Sequence, residues 1–350
     1  MMIGDFFLGK NKDMTFFWSG EEVKIDVCII GGGPCGLAAA VALQKKGITY
    51  CVIEKGNVVN TIYKYPTHQT FFSSSEKLEI GDFPFVHEQR KPNRIHALTY
   101  YREVVKRNKL NIHTFMRAES VVKNNNGAFT IAAVNRKNEE IQYEAKYVII
   151  ATGYYDNPNM MNIKGEDLPH VHHYFKEGHP YYDLDVAVIG GKNSAIDAAL
   201  ELEKAGARPH VFYRGSGYSQ SIKPWVLPEF EACEKAGTIK MTFNACVKAI
   251  TEEGIFVDIK DEEKYFPFHA VFAMTGYHPD HDFISKMGVN IDSKTGRPYY
   301  SEETMETNVE GLFIAGVIAA GNNANEIFIE NGRFHGEMVA NTILDREKSR

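Results

Sequence analysis

The alternation of apolar and polar stretches along the chain predicts two βαβ units. Each unit has an apolar run, a helical periodicity and a second apolar run, at 24–30, 35–47 and 48–54 in the first unit and at 184–190, 193–206 and 208–214 in the second. A buried strand, a crossover helix and another buried strand belong to a parallel sheet. The pattern therefore predicts an α/β fold with two Rossmann-like dinucleotide-binding domains.

Each half ends in a similar strand and turn, which indicates that one domain is inserted into the other. KYVIIATGYYDNP at 146–158 resembles HAVFAMTGYHPD at 269–280, and GLFIAGVIAAG at 311–321 precedes a C-terminal helical pattern. The predicted boundaries are an N-terminal arm at 1–23, a discontinuous first domain at 24–158 and 279–350, a linker at 159–179 and a second domain at 180–278.

The composition excludes several classes of protein. The 350 residues carry a formal net charge of −6, which disfavours nucleic acid as a partner. No apolar run of about 18 residues is present, so no membrane span is predicted. Charged residues interrupt the aromatic-rich arm at 1–23, whereas a signal peptide needs an unbroken apolar segment. We interpret the arm either as a mobile segment or as a contact between copies in a homo-oligomer.

The first βα turn has the composition of a phosphate-binding loop. Gly31 permits a tight turn, Gly33 lets the backbone approach a pyrophosphate, and Gly36 lets the helix pack against the strand. Glu54 ends the second strand, at the distance where a carboxylate binds the adenosine ribose. With the segments that return the chain to this turn, the predicted FAD-binding residues are Gly31, Gly33, Pro34, Gly36, Glu54, Lys55, Gln69, Thr152, Gly153 and Gly316.

The second βα turn departs from this pattern and indicates a different dinucleotide. In GGKNSA, Lys192 stands where the second glycine is usual, and its side chain is a candidate for a phosphate contact. The following strand ends at Arg214 without an acidic residue. Arginine at this point suits a 2′-phosphate and favours NADPH over NADH, with a solvated surface arginine as the alternative. The predicted NADPH-binding residues are Gly190, Gly191, Lys192, Asn193, Ser194 and Arg214, with Lys223 as a weaker candidate.

Five cysteines occur without a CxxC pair, which fits a reduced cytoplasm better than a disulfide framework. Cys28 and Cys51 fall in buried strands, Cys233 falls in a predicted helix, and Cys246 has no supporting context. Cys35 lies at the start of the first helix, where a helix N-terminus lowers the pKa of a thiol and a nearby pyrophosphate opposes this effect. Cys35 is therefore the predicted catalytic residue, with a small apolar filler as the alternative. No metal site is predicted.

A long polar loop at 65–85 follows the first βαβ unit. Ordered loops of this length are often functional. His68, Gln69 and Thr70 are candidates for contacts with the flavin or the substrate, and capping of the loop is the alternative.

Several motifs together resemble the bacillithiol disulfide reductase family, a group of thioredoxin-reductase-like flavin reductases. They are GGGPCGL, IEKGNVVNTIY, YPTHQTFFSSSEKLEIGD, RKPNR, GGKNSA and GNNANEIFIENGR. The resemblance covers residues 24 to about 340 and implies FAD, NADPH, a cytoplasmic location and a small anionic disulfide substrate bearing several carboxylates. Arg90, Lys91 and Arg94 are candidates to bind that acceptor, with a solvated charged loop as the alternative.

Two departures from related reductases qualify the resemblance. The second domain lacks the CxxC pair of thioredoxin reductases. Val317 stands where many FAD reductases of this class have a flavin-binding aspartate, and the asparagine-rich segment 322–325 is a candidate substitute.

The predicted activity is NADPH-dependent reduction of a low-molecular-weight thiol disulfide through FAD. Two alternatives stay open at this point. One is a flavin NADPH reductase that passes electrons to ferredoxin or another protein carrier. The other is a redox-sensing protein that binds both cofactors without turnover.

Overall fold

The structure, a computed structural model, describes residues 22–349. The predicted arm at 1–23, and with it the predicted contact between copies, lies outside these residues except for Glu22 and Val23, which begin the first strand. The strands are β1 (Glu22–Ile30), β2 (Tyr50–Glu54), β3 (Ile112–Thr114), β4 (Met116–Lys123), β5 (Phe129–Asn135), β6 (Glu140–Ile150), β7 (Val171–His172), β8 (Asp185–Ile189), β9 (Arg208–Tyr213), β10 (Lys240–Phe243), β11 (Ala245–Thr251), β12 (Gly254–Ile259), β13 (Glu262–Pro267), β14 (Ala270–Ala273) and β15 (Leu312–Ile314). The helices are α1 (Pro34–Lys45), α2 (Asn60–Lys64), α3 (Arg94–Asn108), α4 (Asn193–Lys204), α5 (Leu227–Ala236), α6 (His281–Lys286), α7 (Ile329–Gly332) and α8 (His335–Lys348).

The larger sheet carries the first βα turn. Its strands lie in the order β3-β2-β1-β6-β5-β4, and β15 pairs with the end of β6. β1 is parallel to both β2 and β6, whereas β4 and β5 add an antiparallel extension. Val27 to Ile30 are buried without alternation, as expected for a strand covered on both faces. α8 packs closely on α1, since a Cβ on Gly336 would lie 2.4 Å from the Cα of Ala39.

The second parallel sheet carries the second βα turn. Its strands lie in the order β10-β9-β8-β14-β7, and α4 connects β8 to β9. The strands β11, β12 and β13 form a separate antiparallel sheet. The predicted α/β fold with two Rossmann-like units is confirmed. The segment 159–179, expected to be a linker, contributes β7 to the second sheet, where tertiary pairing with β14 holds it.

The chain passes between the two halves along two adjacent, antiparallel connections. The backbone N–H of His278 donates to the carbonyl of Asn157 at 2.9 Å, and that of Asn159 donates to the carbonyl of Gly276 at 2.9 Å. The chain therefore leaves the first half and returns to it at one place.

The two halves also meet through a second group of contacts. The N–H of Thr67 donates to the carbonyl of Lys176 at 2.9 Å, and the Lys176 ammonium donates to the carbonyl of Tyr63 at 3.0 Å. His68 Nδ1 lies 3.5 Å from a carboxylate oxygen of Glu201 on α4. These contacts and the two connections border a cleft between the halves.

Candidate functional site

A cleft of about 2080 Å³ brings the two glycine-rich turns together. It is lined by the starts of α1 and α4, by the loop that follows α2 and by the turns that follow β6, β14 and β15. Each of these segments was singled out in the sequence by its glycines or polar side chains. The two halves therefore share one cavity.

The first turn is shaped by contacts that exclude larger side chains. Gly31 has φ +111°, and a Cβ there would lie 2.4 Å from the carbonyl oxygen of Ala151. A Cβ on Gly36 would lie 2.0 Å from the carbonyl oxygen of Gly31. Gly33 has no atom within 4 Å of its added Cβ, and it directly precedes α1, which begins at Pro34. The start of α1 is thus open to a ligand, and its N–H groups suit a phosphate.

Glu54 ties the end of β2 to the first turn. Its Oε2 accepts from the N–H of Gly32 at 2.7 Å, and its Oε1 accepts from the N–H of Gly56 at 2.7 Å. Burial raises the pKa of the Glu54 carboxyl, while these two hydrogen bonds and Lys55 act in the opposite direction. The Lys55 ammonium lies 2.8 Å from Asp156 Oδ2. The sequence pattern gives no sign that Glu54 holds the first turn or that Lys55 pairs with Asp156.

Thr152 supplies a test of whether the first turn fits a dinucleotide. Its Oγ1 is buried and has no hydrogen-bond partner within the part of the chain that is described. Gly153 follows with φ +71°, and both residues line the cleft. Buried hydroxyls are nearly always bonded, so a polar ligand at this turn fits the residues present.

Cys35 lies in the first turn of α1 and packs against the turn after β15 and against α7. A Cβ on Gly316 would lie 2.9 Å from the Cys35 sulfur, and one on Gly332 would lie 3.0 Å from it. Burial raises the pKa of the Cys35 thiol to about 12. The sequence predicts two opposed effects on this pKa, from the helix N-terminus and from a nearby pyrophosphate, and gives no net direction. Burial adds a third effect, desolvation of the thiolate, which raises the pKa. The predicted catalytic role of Cys35 stays a prediction.

The turn after β15 offers no carboxylate where Val317 stands. The asparagines at 322–325, the candidate substitutes for that carboxylate, differ in their contacts. The Asn323 amide donates to Glu326 at 2.6 Å, whereas Asn322 and Asn325 line the cleft. A polar contact to a ligand from this segment stays a prediction for Asn322 and Asn325.

The second turn is built like the first, and in addition the ring of Tyr213 packs against it. Gly190 has φ +139°, and a Cβ there would lie 2.4 Å from the carbonyl oxygen of Met274. A Cβ on Gly191 would collide with the ring of Tyr213, at 2.2 Å. Lys192 directly precedes α4, and Ser194 is exposed in its first turn.

Asn193 positions a neighbouring loop. Its side-chain amide donates to the carbonyl of Ser221 at 2.8 Å, and its Oδ1 accepts from the N–H of Lys223 at 2.9 Å. Arg214 directly follows β9, is exposed and lines the cleft. No ion pair involves Arg214 within residues 22–349, which leaves its guanidinium available to an anion.

The polar loop contributes more to the junction between the halves than to capping. Burial lowers the pKa of His68, and the Glu201 carboxylate opposes this shift. The Gln69 side chain donates to the carbonyl of Thr70 at 2.9 Å, a local contact. Arg94 is not in an exposed loop, as had been expected: it begins α3, is buried, and donates to the carbonyl of Tyr63 at 2.6 Å. The predicted loop position of Arg94 is therefore wrong, and its role in binding the acceptor stays a prediction.

Asp197 is a cleft residue that the sequence analysis missed. It lies one turn into α4, and burial, with the nearby Glu201 carboxylate, raises the pKa of its carboxyl to about 6. Asp197 lies four residues after Asn193, so both lie on the same face of α4, and this spacing could have indicated that Asp197 also faces the cleft.

The described residues contain neither a metal-binding cluster nor a membrane-spanning helix. In the range 22–349, no group of three or more His, Cys, Asp and Glu side chains is arranged to hold a metal ion. Among the helices of that range, none combines the length and the hydropathy that a membrane crossing requires.

The chain is similar to known proteins in both sequence and fold. The sequence profile of the family described as pyridine nucleotide-disulphide oxidoreductase matches residues 28–316. The bacilliredoxin reductase Bdr of Bacillus subtilis (strain 168) is 64% identical over 320 residues, which are 91% of this chain and 97% of that protein. The solved structure of the bacillithiol disulfide reductase Bdr (YpdA) from Bacillus cereus is 63% identical, with a TM-score of 0.91 over 92% of this chain and 99% of that chain.

A ferredoxin–NADP reductase of Ignicoccus hospitalis is more distant, at 28% identity over 84% of this chain and 90% of that protein. The family profile spans both glycine-rich turns and the two connections between the halves. The chain therefore belongs to the pyridine nucleotide-disulphide oxidoreductase family, and the predicted membership of its bacillithiol disulfide reductase group is confirmed.

Proposed function

We propose that the protein uses NADPH to reduce bacillithiol disulfide through bound FAD. One NADPH, one proton and one disulfide give NADP⁺ and two thiols. The relatives at 64% and 63% identity are named as reductases of bacilliredoxin and of bacillithiol disulfide. The observation that carries the proposal is that the starts of α1 and α4 open on one cleft. Each offers free backbone N–H groups to a pyrophosphate, so two dinucleotides meet in one space.

The first turn is the proposed FAD site. Gly33 leaves room for a pyrophosphate at the start of α1, and Thr152 Oγ1 offers an unused hydrogen bond. Glu54 holds the turn in shape while keeping lone pairs on both carboxylate oxygens for ribose hydroxyls. Bound FAD would supply the two-electron chemistry that links a nicotinamide to a disulfide.

The second turn is the proposed NADPH site. Lys192 and Ser194 flank the start of α4, where a pyrophosphate is favoured by the helix dipole. Arg214 stands at the end of β9 with its guanidinium on the cleft, where it would pair with the 2′-phosphate.

Stopped-flow absorbance of the holoenzyme tests the proposal. We expect NADPH to reduce the flavin and bacillithiol disulfide to reoxidise it over many turnovers. The ferredoxin-reductase alternative predicts turnover with ferredoxin and none with the disulfide. The redox-sensing alternative predicts one reduction and no multiple turnover with any acceptor. Either result would replace the proposal.

A protein acceptor is the second candidate, because the Bacillus subtilis relative is named after bacilliredoxin. Oxidised bacilliredoxin, supplied without free bacillithiol, would then support turnover at a rate equal to or above that with the disulfide. No turnover under these conditions would leave the small disulfide as the acceptor.

We place the reaction in the cytoplasm. All five cysteines are free, which fits a reducing compartment, and a pool of small thiols is maintained there. Assembly into a homo-oligomer stays a prediction that size-exclusion chromatography with light scattering tests, with a chain lacking residues 1–21 as the comparison.

A further inference from the structure

Two lysines and three aromatic rings form a collar at the junction of the two halves. The collar consists of Lys91, Lys223, Phe72, Trp225 and Phe328, all of which line the cleft. The Lys223 ammonium lies 5.3 Å from the ring centroid of Phe72, 5.9 Å from that of Trp225 and 5.8 Å from that of Phe328. The Lys91 ammonium lies 5.0 Å from the Trp225 centroid. The rings of Phe72 and Trp225 meet edge to face at 5.8 Å.

The collar residues stand on loops that are anchored at both sides of the cleft. The N–H of Lys223 donates to Asn193 at the start of α4, which fixes the loop that carries Lys223 and Trp225. The N–H of Phe71 donates to the carbonyl of Pro92 at 2.9 Å, which fixes the positions of the neighbouring Phe72 and Lys91. These hydrogen bonds hold the loops that carry the collar residues.

The two lysines of the collar bring two positive charges to the cleft. Within residues 22–349, neither Lys91 nor Lys223 takes part in an ion pair. An ammonium over an aromatic face keeps N–H donors free for oxygen acceptors. Two ammonium groups that share contacts with Trp225 also repel each other, and an anion beside them relieves that repulsion.

In the proposed function, the phosphates of the two dinucleotides have other partners, and Lys223, a weaker candidate for the NADPH site in the sequence, is assigned to the collar instead. The starts of α1 and α4, with Lys192 and Arg214, account for the pyrophosphates and the 2′-phosphate in the proposed function. The collar is left for the third ligand, the acceptor. We propose that Lys91 and Lys223, held over these rings, form the subsite that binds the carboxylates of the disulfide. This inference rests on the proposed function.

The subsite is tested by removing the lysine charges from the enzyme and the carboxylate charges from the substrate, separately and together. The variants Lys91→Gln and Lys223→Gln remove the charge at similar length, Lys223→Arg restores it, and Lys286→Gln is the control, a cleft lysine outside the collar. The substrates are bacillithiol disulfide and its carboxyl methyl ester. We expect each glutamine variant to raise KM for the free acid about tenfold, and the arginine variant and the control to leave it within about twofold.

The ester distinguishes a direct contact from a general weakening. Wild type should prefer the acid over the ester by about tenfold, and the double variant Lys91→Gln/Lys223→Gln should treat the two alike. The rate of flavin reduction by NADPH should stay unchanged in every variant. Retention of the preference for the acid in the double variant would overturn the proposal. An equal rise in KM for NADPH would also overturn it, because Lys223 would then belong to the nucleotide site.

A binding measurement keeps the test independent of turnover. The chain has two tryptophans, so the holoenzyme with Trp18→Phe reports on Trp225 alone. Titration with the free acid should change the Trp225 fluorescence, and the glutamine variants should need about ten times more ligand. If wild type binds in this way without turning the disulfide over, the proposed function fails and the subsite stands. Turnover with unchanged fluorescence in all variants would overturn the subsite alone.

Discussion

Cys35 faces the cleft with part of its surface and packs on Gly316 with its sulfur. Burial raises its pKa to about 12, so about one thiol in ten thousand is ionised at pH 8. Only the thiolate attacks a disulfide. If Cys35 exchanges with the substrate, kcat/KM for the disulfide should rise about tenfold per pH unit between pH 7 and 9, while NADPH-dependent dye reduction should not follow it.

The variant Cys35→Ala completes that measurement. It should fold, bind FAD and reduce a dye like wild type, since Ala suits the contact with Gly316. Loss of disulfide reduction together with the pH slope would support the exchange role. A flat pH profile with full activity in Cys35→Ala would contradict it and assign the side chain to packing.

Thr152 is expected to show opposite effects on the apoprotein and on cofactor binding. Its buried Oγ1 has no partner among the described residues, so Thr152→Val, of equal shape, should leave the thermal stability of the apoprotein unchanged or raise it. The same change should weaken FAD binding by about 1 kcal/mol, the contribution of one hydrogen bond. Calorimetric unfolding and titration of the apoprotein with FAD measure the two effects. A destabilised apoprotein with normal FAD affinity would contradict this assignment.

Arg214 should decide the choice between the two pyridine nucleotides. Its exposed guanidinium has no ion pair within residues 22–349. Loss of a charge-assisted contact with the 2′-phosphate costs about 1.5–3 kcal/mol, so Arg214→Ala should raise KM for NADPH by a factor of about 10 to 150 and leave KM for NADH unchanged. Steady-state kinetics with both nucleotides and a dye acceptor measure this. Equal losses with both nucleotides would make Arg214 a structural residue.

On the scale of secondary-structure elements, α4 contains an acidic group whose ionisation opposes folding. Burial, with Glu201 and Glu229 nearby, raises the pKa of Asp197 from 3.8 to about 6, and Lys204 opposes the shift. The folded state therefore favours the protonated carboxyl. Its contribution to stability is fully present below pH 3.8 and is lost as the pH rises through about 6.

The variant Asp197→Asn should remove this pH dependence. A shift of about two pKa units corresponds to about 3 kcal/mol, so the variant should be more stable than wild type by up to that amount at pH 8 and equal to it near pH 4. Urea unfolding at both pH values measures the difference. Asp261→Asn, at an exposed turn, is the control and should show no such change. An equal effect of Asp197→Asn at both pH values would contradict the assignment.

Elements with a strong hydrophobic pattern were predictable, and elements created by tertiary contact were not. The apolar run at 24–30 matches β1 (Glu22–Ile30), because a strand covered on both faces needs apolar side chains throughout. The two-residue strand β7 has no pattern of its own and exists through pairing with β14. Arg94 looked exposed in a charged segment, but the carbonyl that holds it belongs to Tyr63, distant in sequence.

The candidate site shows the same division. The glycines of both turns were predictable because each meets a backbone or a ring that leaves no space for a Cβ. The pKa of Cys35 was not, because burial is a property of the folded environment. The collar was also beyond sequence reasoning, since Phe72, Lys223 and Phe328 come from three distant segments.

On the scale of the whole molecule, the paired connections predict that the inserted half can be deleted without disturbing the first half. The N–H of His278 reaches the carbonyl of Asn157 at 2.9 Å, so excision of residues 158–277 leaves two ends that a short glycine bridge can join. All seven strands of the larger sheet lie in the retained chain. We expect the shortened protein to fold, to bind FAD with the absorption spectrum of a flavoprotein and to be unreduced by NADPH; failure to fold would show that the first half depends on its insert. The two halves would then be separable at the level of the gene, and an insert with another nucleotide preference could be exchanged at this single junction.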